Sequence, residues 1–131
     1  MIRLEVHFNM IPTEEGGRRS PIYNSNLLKE EISTYNPNLV FGYSGQLSDL
    51  KKGGSYQFAN NIPGVTKSID GKVFPNKEEL FPGESTNAEI VIRDTNYIDE
   101  FLTKGMAFLV REGGRVIATG KILKVLELPY S

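Results

Sequence analysis

The residues best placed to do chemistry are four arginines beside two copies of one tetrapeptide. Glu-Gly-Gly-Arg occurs at 15–18 and again at 112–115, and Arg19 and Arg111 adjoin the two copies. Guanidinium groups beside glycine can approach a phosphate backbone closely, because no bulky side chain keeps the ligand away. A second interpretation stays open, in which the glutamate and arginine within each tetrapeptide pair with each other on an exposed turn.

No residue pattern supports catalysis or a resident metal. Cysteine is absent, which excludes disulfides, thiolate zinc sites and cysteine nucleophiles. The single histidine, His7, falls on the polar side of a predicted strand, and an isolated histidine is rarely a ligand or a catalytic base. Adjacent acidic pairs diverge on a strand or helix, so they are poor candidates for paired carboxylates. We therefore expect no enzyme activity, no cofactor and no metal.

One segment approaches a phosphate-binding loop without matching it. Gly114 is followed by a Gly-Lys pair at 120–121, and then by Ile122. The spacing is one residue too long, and isoleucine replaces the serine or threonine that would hold magnesium. The segment also predicts one arm of a β-hairpin, whereas a phosphate-binding loop joins a strand to a helix. We expect no GTP to bind here.

Length and composition indicate a single domain over residues 1–131. The chain has 15 Lys+Arg and 16 Asp+Glu, a formal net charge of -1, which argues against a dedicated nucleic-acid binder. No apolar run approaches the roughly 20 residues of a membrane helix, and no signal-peptide pattern opens the chain. We therefore expect a cytoplasmic protein that does not bind membranes.

Alternating apolar residues and glycine-rich turns predict an all-β fold. At 2–10 every second residue is apolar, as in a strand with one buried face. Asp70-Gly71 predicts a hairpin turn, and each Gly-Gly pair predicts a tight hairpin turn that needs φ > 0. Residues 24–34 predict a short helix that begins at an asparagine or serine cap.

Four motifs along the chain carry a family resemblance. They are Pro-Thr-Glu-Glu-Gly-Gly-Arg-Arg-Ser-Pro-Ile-Tyr at 12–23, Tyr-Asn-Pro-Asn-Leu-Val-Phe at 35–41, Phe-Pro-Gly-Glu at 81–84, and the glycine hairpin at 105–120. In type and order they resemble the C-terminal (third) domain of elongation factor Tu. Each motif is modest alone, but together they span nearly the whole chain.

The resemblance implies a closed six-stranded Greek-key barrel, here with a short helix in one of two insertions at 24–34 and 47–80. In that family the domain helps to grip the backbone of aminoacyl-tRNA, packs on the GTPase domain and contacts the exchange factor. This chain has asparagine where the family has glutamine, and Arg19 where histidine is frequent. The partner- or RNA-binding positions implied here are Arg18, Arg19, Asn38, Arg111, Glu112, Gly113, Gly114 and Arg115.

Two functional hypotheses follow. The first is a non-catalytic binding module, without GTPase activity, that recognises a protein linked to the translation apparatus. The alternative is binding of tRNA or another RNA backbone through the two Glu-Gly-Gly-Arg corners. The hypotheses require different residues: Arg115 and its neighbours for RNA, and apolar insertion residues such as Leu28 for a protein partner.

Overall fold

The chain folds as an all-β protein, as its alternating pattern predicts. The computed structural model describes residues 1–28, 32–59, 67–93, 98 and 101–127. The strands are β1 (Ile2–Met10), β2 (Ile22–Tyr23), β3 (Asn38–Phe41), β4 (Lys51–Lys52), β5 (Ser55–Gln57), β6 (Lys67–Asp70), β7 (Lys72–Pro75), β8 (Glu79–Leu80), β9 (Ser85–Ile92), β10 (Ala107–Glu112) and β11 (Arg115–Glu127).

One curled antiparallel sheet organises the molecule. Its strands lie in the order β6-β3-β10-β11-β1-β9-β7. β5 pairs with β11 and carries β4 on its other edge, while β2 and β8 form a separate two-stranded ribbon. The ladders of β1 with β9 and with β11 are the longest, so β1 is an interior strand paired along both edges.

The main hydrophobic core lies on the inner face of this sheet. β1 alternates between buried and more exposed residues along its length, and Leu4, Val6 and Phe8 are completely buried. The centre of the Phe108 ring lies 6.2 Å from the centre of the Phe8 ring and 5.9 Å from that of the Phe41 ring. The ring planes are inclined by 45° and 48° in the two pairs. Aromatic pairs at this spacing stabilise a fold beyond the burial of their apolar area. These contacts therefore hold β1, β3 and β10 together on the inner face of the sheet.

A second hydrophobic cluster lies on the outer face. Val40, Leu109 and Val116, from β3, β10 and β11, pack there against Leu50 and Phe58. Leu50 and Phe58 belong to the segment 47–58, which therefore covers one part of the outer face. Strand β3 is buried on both sides, because its Leu39 and Phe41 contribute to the inner core while Val40 faces the outer cluster.

Strands β6 and β7 stand at opposite ends of the strand order but are separated by Gly71 alone. The predicted hairpin at Asp70-Gly71 is therefore wrong. Gly71 does not have positive φ, and a Cβ built on it would lie 2.8 Å from Leu39 Cδ1 and 3.2 Å from Ile90 Cγ2. Glycine is required at this position because core side chains fill the space that a Cβ would occupy. The Asp-Gly pattern that predicts a hairpin turn does not distinguish this packing requirement from a turn.

The predicted short helix at 24–34 is also not formed in its described part. Residues 25–27 form a turn, and 29–31 lie outside the described residues. The helical elements of the described chain are two short 3₁₀ helices, Thr13–Glu15 and Leu47–Leu50. Across those same residues, no helix has the length and apolar character needed to cross a bilayer.

Gly71→Ala should destabilise the fold by about 1–3 kcal/mol, because the added methyl overpacks a filled core. Urea unfolding, followed by intrinsic fluorescence or circular dichroism, measures the change. Gly114→Ala is the matched control: its Cβ would meet only the Phe58 carbonyl oxygen at 3.8 Å, and its φ is not positive. Equal stabilities for the two variants would contradict the packing role of Gly71.

Candidate functional site

The first Glu-Gly-Gly-Arg copy begins at the last residue of a short 3₁₀ turn, and the predicted hairpin there is wrong. The turn Thr13–Glu15 ends at Gly16, whose φ of 98° is left-handed. The Gly17 amide then donates to the Pro12 carbonyl at 2.9 Å. The Thr13 hydroxyl donates to the Arg18 carbonyl at 2.5 Å. The chain thus folds back on itself and presents the Arg18 side chain at the edge of the turn.

The second copy forms the predicted two-residue hairpin between β10 and β11. Glu112 pairs with Arg115 across the turn, and Gly113 has a φ of 61° while Gly114 does not have positive φ. A positive φ at the first central residue is the requirement of a type II′ turn, in which glycine is preferred. The hairpin prediction is confirmed at this corner.

The two corners meet through an ion pair that joins one tetrapeptide to the other. Arg18 Nη1 lies 2.5 Å from Glu112 Oε2, a separation of 94 residues in sequence. The Tyr35 hydroxyl donates to the same carboxylate oxygen, and the Arg18 guanidinium lies 5.2 Å from the centre of the Tyr35 ring. The expected ion pair between the glutamate and the arginine of each tetrapeptide is therefore wrong: Arg18 pairs with Glu112 of the other copy. We call Arg18, Tyr35 and Glu112 the corner network.

Burial and charge both act on the corner network. Burial, together with the hydrogen bond to the negative Glu112 carboxylate, raises the pKa of Tyr35 well above its ordinary 10.0. Burial alone would lower the pKa of Arg18, but Glu112 and Tyr35 outweigh it and raise that pKa. At neutral pH the Tyr35 phenol therefore keeps its proton as a hydrogen-bond donor, and the Arg18 guanidinium keeps its charge.

Asn38 and Arg111 lie on neighbouring strands and contact each other. Arg111 Nε donates to Asn38 Oδ1 at 2.9 Å, and Asn38 Nδ2 donates to Asp70 Oδ1 at 3.1 Å. The Arg111 guanidinium also lies 5.2 Å from the centre of the Phe58 ring. These two predicted site residues form a polar row across β6, β3 and β10 and do not line the cleft described next.

The corner cleft is an open concavity of about 550 Å³ between the two corners. Its lining residues include Thr13, Arg18, Arg19, Glu112 and Arg115. Arg19 is exposed and Arg115 is half-exposed. Arg115 has no ion-pair partner among the described side chains. The structure thus brings four of the predicted site residues together, while Gly113 and Gly114 form the adjoining turn.

A second concavity, the outer groove, lies elsewhere on the outer face and was not predicted. It has a volume of about 460 Å³, and its lining includes Glu5, Asn26, Leu27, Asn87, Glu89 and Leu123. Leu27 and Leu123 are 48% and 41% exposed. These two are among the few large exposed hydrophobic side chains of the described chain, where Phe81 at 47% is the other.

Local structure fixes the backbone at both leucines. Asn24 is buried: its Nδ2 donates to the Pro75 carbonyl at 2.7 Å and its Oδ1 accepts from the Asn26 amide at 2.8 Å. The Leu27 amide donates to the Asn24 carbonyl at 3.1 Å. Leu123 lies at a bulge of β11. The neighbouring residues Glu5 and Val6 of β1 pair with residues 124 and 122 of β11, so Leu123 is the extra residue between them. A bulge redirects a side chain, and here it exposes a leucine that simple alternation does not predict.

Tyr35→Phe tests the corner network through pH. The pKa of Tyr35 in the folded protein lies above 10.0. The stabilisation of the fold by the Tyr35 hydrogen bond is therefore complete below pH 10.0. It is lost as the pH rises further, because Tyr35 then ionises in the unfolded chain before it does in the folded protein. Near neutral pH the variant should lose about 1–3 kcal/mol, since it removes a hydrogen bond to a charged group. That deficit should shrink in urea unfolding above pH 10.0. A pH-independent deficit would contradict the assignment.

The described site is thus two concave surfaces on one sheet, one lined by arginines and one by leucines and carboxylates. Within the described residues, no group of three or more histidine, aspartate or glutamate side chains could hold a metal ion. No protein-family model matches the chain.

Proposed function

We propose that this protein is a non-catalytic module that binds another protein, linked to the translation apparatus. The observation that carries the proposal is the outer groove, a single concavity in which Leu27 and Leu123 are both exposed. Single exposed leucines are ordinary on protein surfaces. Two in one concavity resemble the apolar centre of an interface, where buried anchors supply most of the binding energy.

The arginine corners support the same assignment by their internal contacts. Arg18 is engaged by Glu112 and Tyr35, and Arg111 by Asn38 and Phe58. A guanidinium already paired with a carboxylate must give up that contact before it can bind a phosphate. Two of the four corner arginines therefore act as structural residues.

The alternative function, RNA-backbone binding, is favoured by one observation. Arg19 and Arg115 both line the corner cleft, and open space surrounds the adjoining Gly113, where a Cβ would meet nothing within 4 Å. A phosphate backbone could approach this corner without a steric barrier. The near-neutral net charge of -1 supplies no long-range attraction for RNA, so we rank this function second.

For the fold itself we propose a closed six-stranded Greek-key barrel related to the third domain of elongation factor Tu. Hydrogen bonds between the two ends of the strand order support closure of the barrel. Asn38 pairs with Asp70, and the Gly71 and Val73 amides donate to the Pro37 and Tyr35 carbonyls at 3.2 and 2.9 Å. These bonds continue the β3–β6 register along β7, whose other edge pairs with β9.

Amide hydrogen exchange tests closure. If the barrel is closed, the Val73 amide should be protected to about the same degree as amides in the β1–β9 ladder, because both open only with the sheet. Two-dimensional NMR after transfer to deuterated buffer gives the rates. Exchange of Val73 at the rate of an unstructured peptide would contradict closure.

The binding function is tested by affinity capture from a lysate of the source cells at low and moderate salt, identifying protein and RNA in the eluate. We expect a protein partner that resists moderate salt and is lost with Leu27→Asp. Leu27 replaces half-buried Leu28 as the residue to change, since it is the more exposed of the two. Phe81→Asp is the matched control, an equally exposed side chain outside the groove. Capture unaffected by Leu27→Asp would contradict the role of Leu27.

Arg115→Ala tests the RNA alternative. If transfer RNA is the ligand, its affinity should fall and the slope of log affinity against log salt should decrease by about 1, as one phosphate contact is lost. Lys104→Ala is the control, because Lys104 precedes β10 at the end of that strand away from Glu112. Identical salt dependence for wild type and Arg115→Ala would contradict RNA binding at the corner cleft.

A further inference from the structure

We propose that the outer groove binds a protein segment in which an apolar side chain lies next to a lysine or arginine. This inference rests on the proposed binding function and adds the chemistry of the partner.

The apolar part of the partner is indicated by Leu27 and Leu123. They belong to separate elements, a turn held by buried Asn24 and a bulge of β11, yet both line one concavity. Backbone that hydrogen bonds and strand pairing hold in position before binding loses little conformational entropy when a partner covers it. The site thus offers two aliphatic contacts to one apolar side chain of the ligand.

The basic part is indicated by two carboxylates in the same groove. Glu5 of β1 lies directly opposite Glu89 of β9, and like charges in this position repel each other. Arg3 Nε lies 3.8 Å from Glu89 Oε2, and the two side chains are 38% and 43% exposed. Lys124 is the register partner of Glu5 on β11. Exposed pairs of this length contribute little, so a cation from a partner would still gain from both carboxylates.

The charge of the lining residues distinguishes the outer groove from the corner cleft. No lysine or arginine lines the groove among the residues that the structure describes, whereas Arg18, Arg19 and Arg115 line the corner cleft. An acidic segment or a phosphate would meet the Glu5 and Glu89 carboxylates in the groove, with no cation among the lining residues to offset their charge. Complementary charge selects the partner and rejects others, and here it selects a basic one.

The test is selection of random linear peptides displayed on phage against the immobilised full chain. We expect the enriched peptides to carry Leu, Ile or Phe beside Lys or Arg. Synthetic copies of these peptides should bind about tenfold more weakly to two variants than to the wild-type chain. The variants are Leu123→Ser and the double substitution Glu5→Gln with Glu89→Gln. An affinity loss of about tenfold is the effect of losing one interface anchor. Only the carboxamide variant should lose the salt dependence of binding.

Two control variants separate the groove from the rest of the surface. Phe81→Ser removes an equally exposed apolar side chain, and Glu79→Gln an exposed carboxylate, both outside the groove. Each should bind the peptides as wild type does. Thermal unfolding of every variant checks that the fold is retained, which the exposure of Leu123 leads us to expect.

Three results would overturn the inference: no enriched peptide, enriched peptides that lack a basic residue, or binding that the groove variants leave unchanged. Failure of the binding function is a separate result, since it shows as no protein captured from the lysate. A protein captured equally by wild type and the double carboxamide variant would leave the binding function standing and overturn the basic partner.

Discussion

The position of β1 between two long antiparallel ladders is the constraint on which the rest of the structure depends. β1 pairs with β9 along one edge and with β11 along the other over almost its whole length. Leu4, Val6 and Phe8 point into the core and are completely buried. A slip of one residue would turn all of them outward, so the hydrophobic face fixes the register. The same register places Glu5 opposite Glu89 on the outer face.

The segment 47–58 covers part of that outer face. Leu50 and Phe58 pack on Val40, Leu109 and Val116. The same segment contacts the first corner closely: a Cβ on Gly16 would clash with Ser55 Cα and would lie 2.6 Å from the Gly54 carbonyl oxygen. Glycine at position 16 therefore serves both the left-handed turn and the close approach of two backbone segments.

The corner network explains why the two tetrapeptides lie together. Two arginine-bearing turns would repel each other at close range, and the Glu112 carboxylate between Arg18 and the Tyr35 hydroxyl offsets that repulsion. A partly buried carboxylate is stabilised by several donors at once. Arg19 and Arg115 remain at the cleft, where they can meet an anion, while the outer groove carries carboxylates and leucines. The sheet thus separates an arginine-lined surface from an acidic, apolar one.

The sequence by itself determined the strand class, the buried face of β1 and the hairpin at Gly113, because period-two alternation and a glycine at a required φ are local signals. It also identified the arginines of the corner cleft. Only the tertiary structure decided their partners: Arg18 pairs with Glu112, 94 residues away, and not with neighbouring Glu15. It likewise decided that Gly71 serves core packing and that Leu123 faces outward at a bulge. The reason is common to all three. Local pattern specifies backbone conformation and face, whereas side-chain partners, close packing and bulges depend on which strands lie side by side, and the ladders that set this join distant parts of the chain.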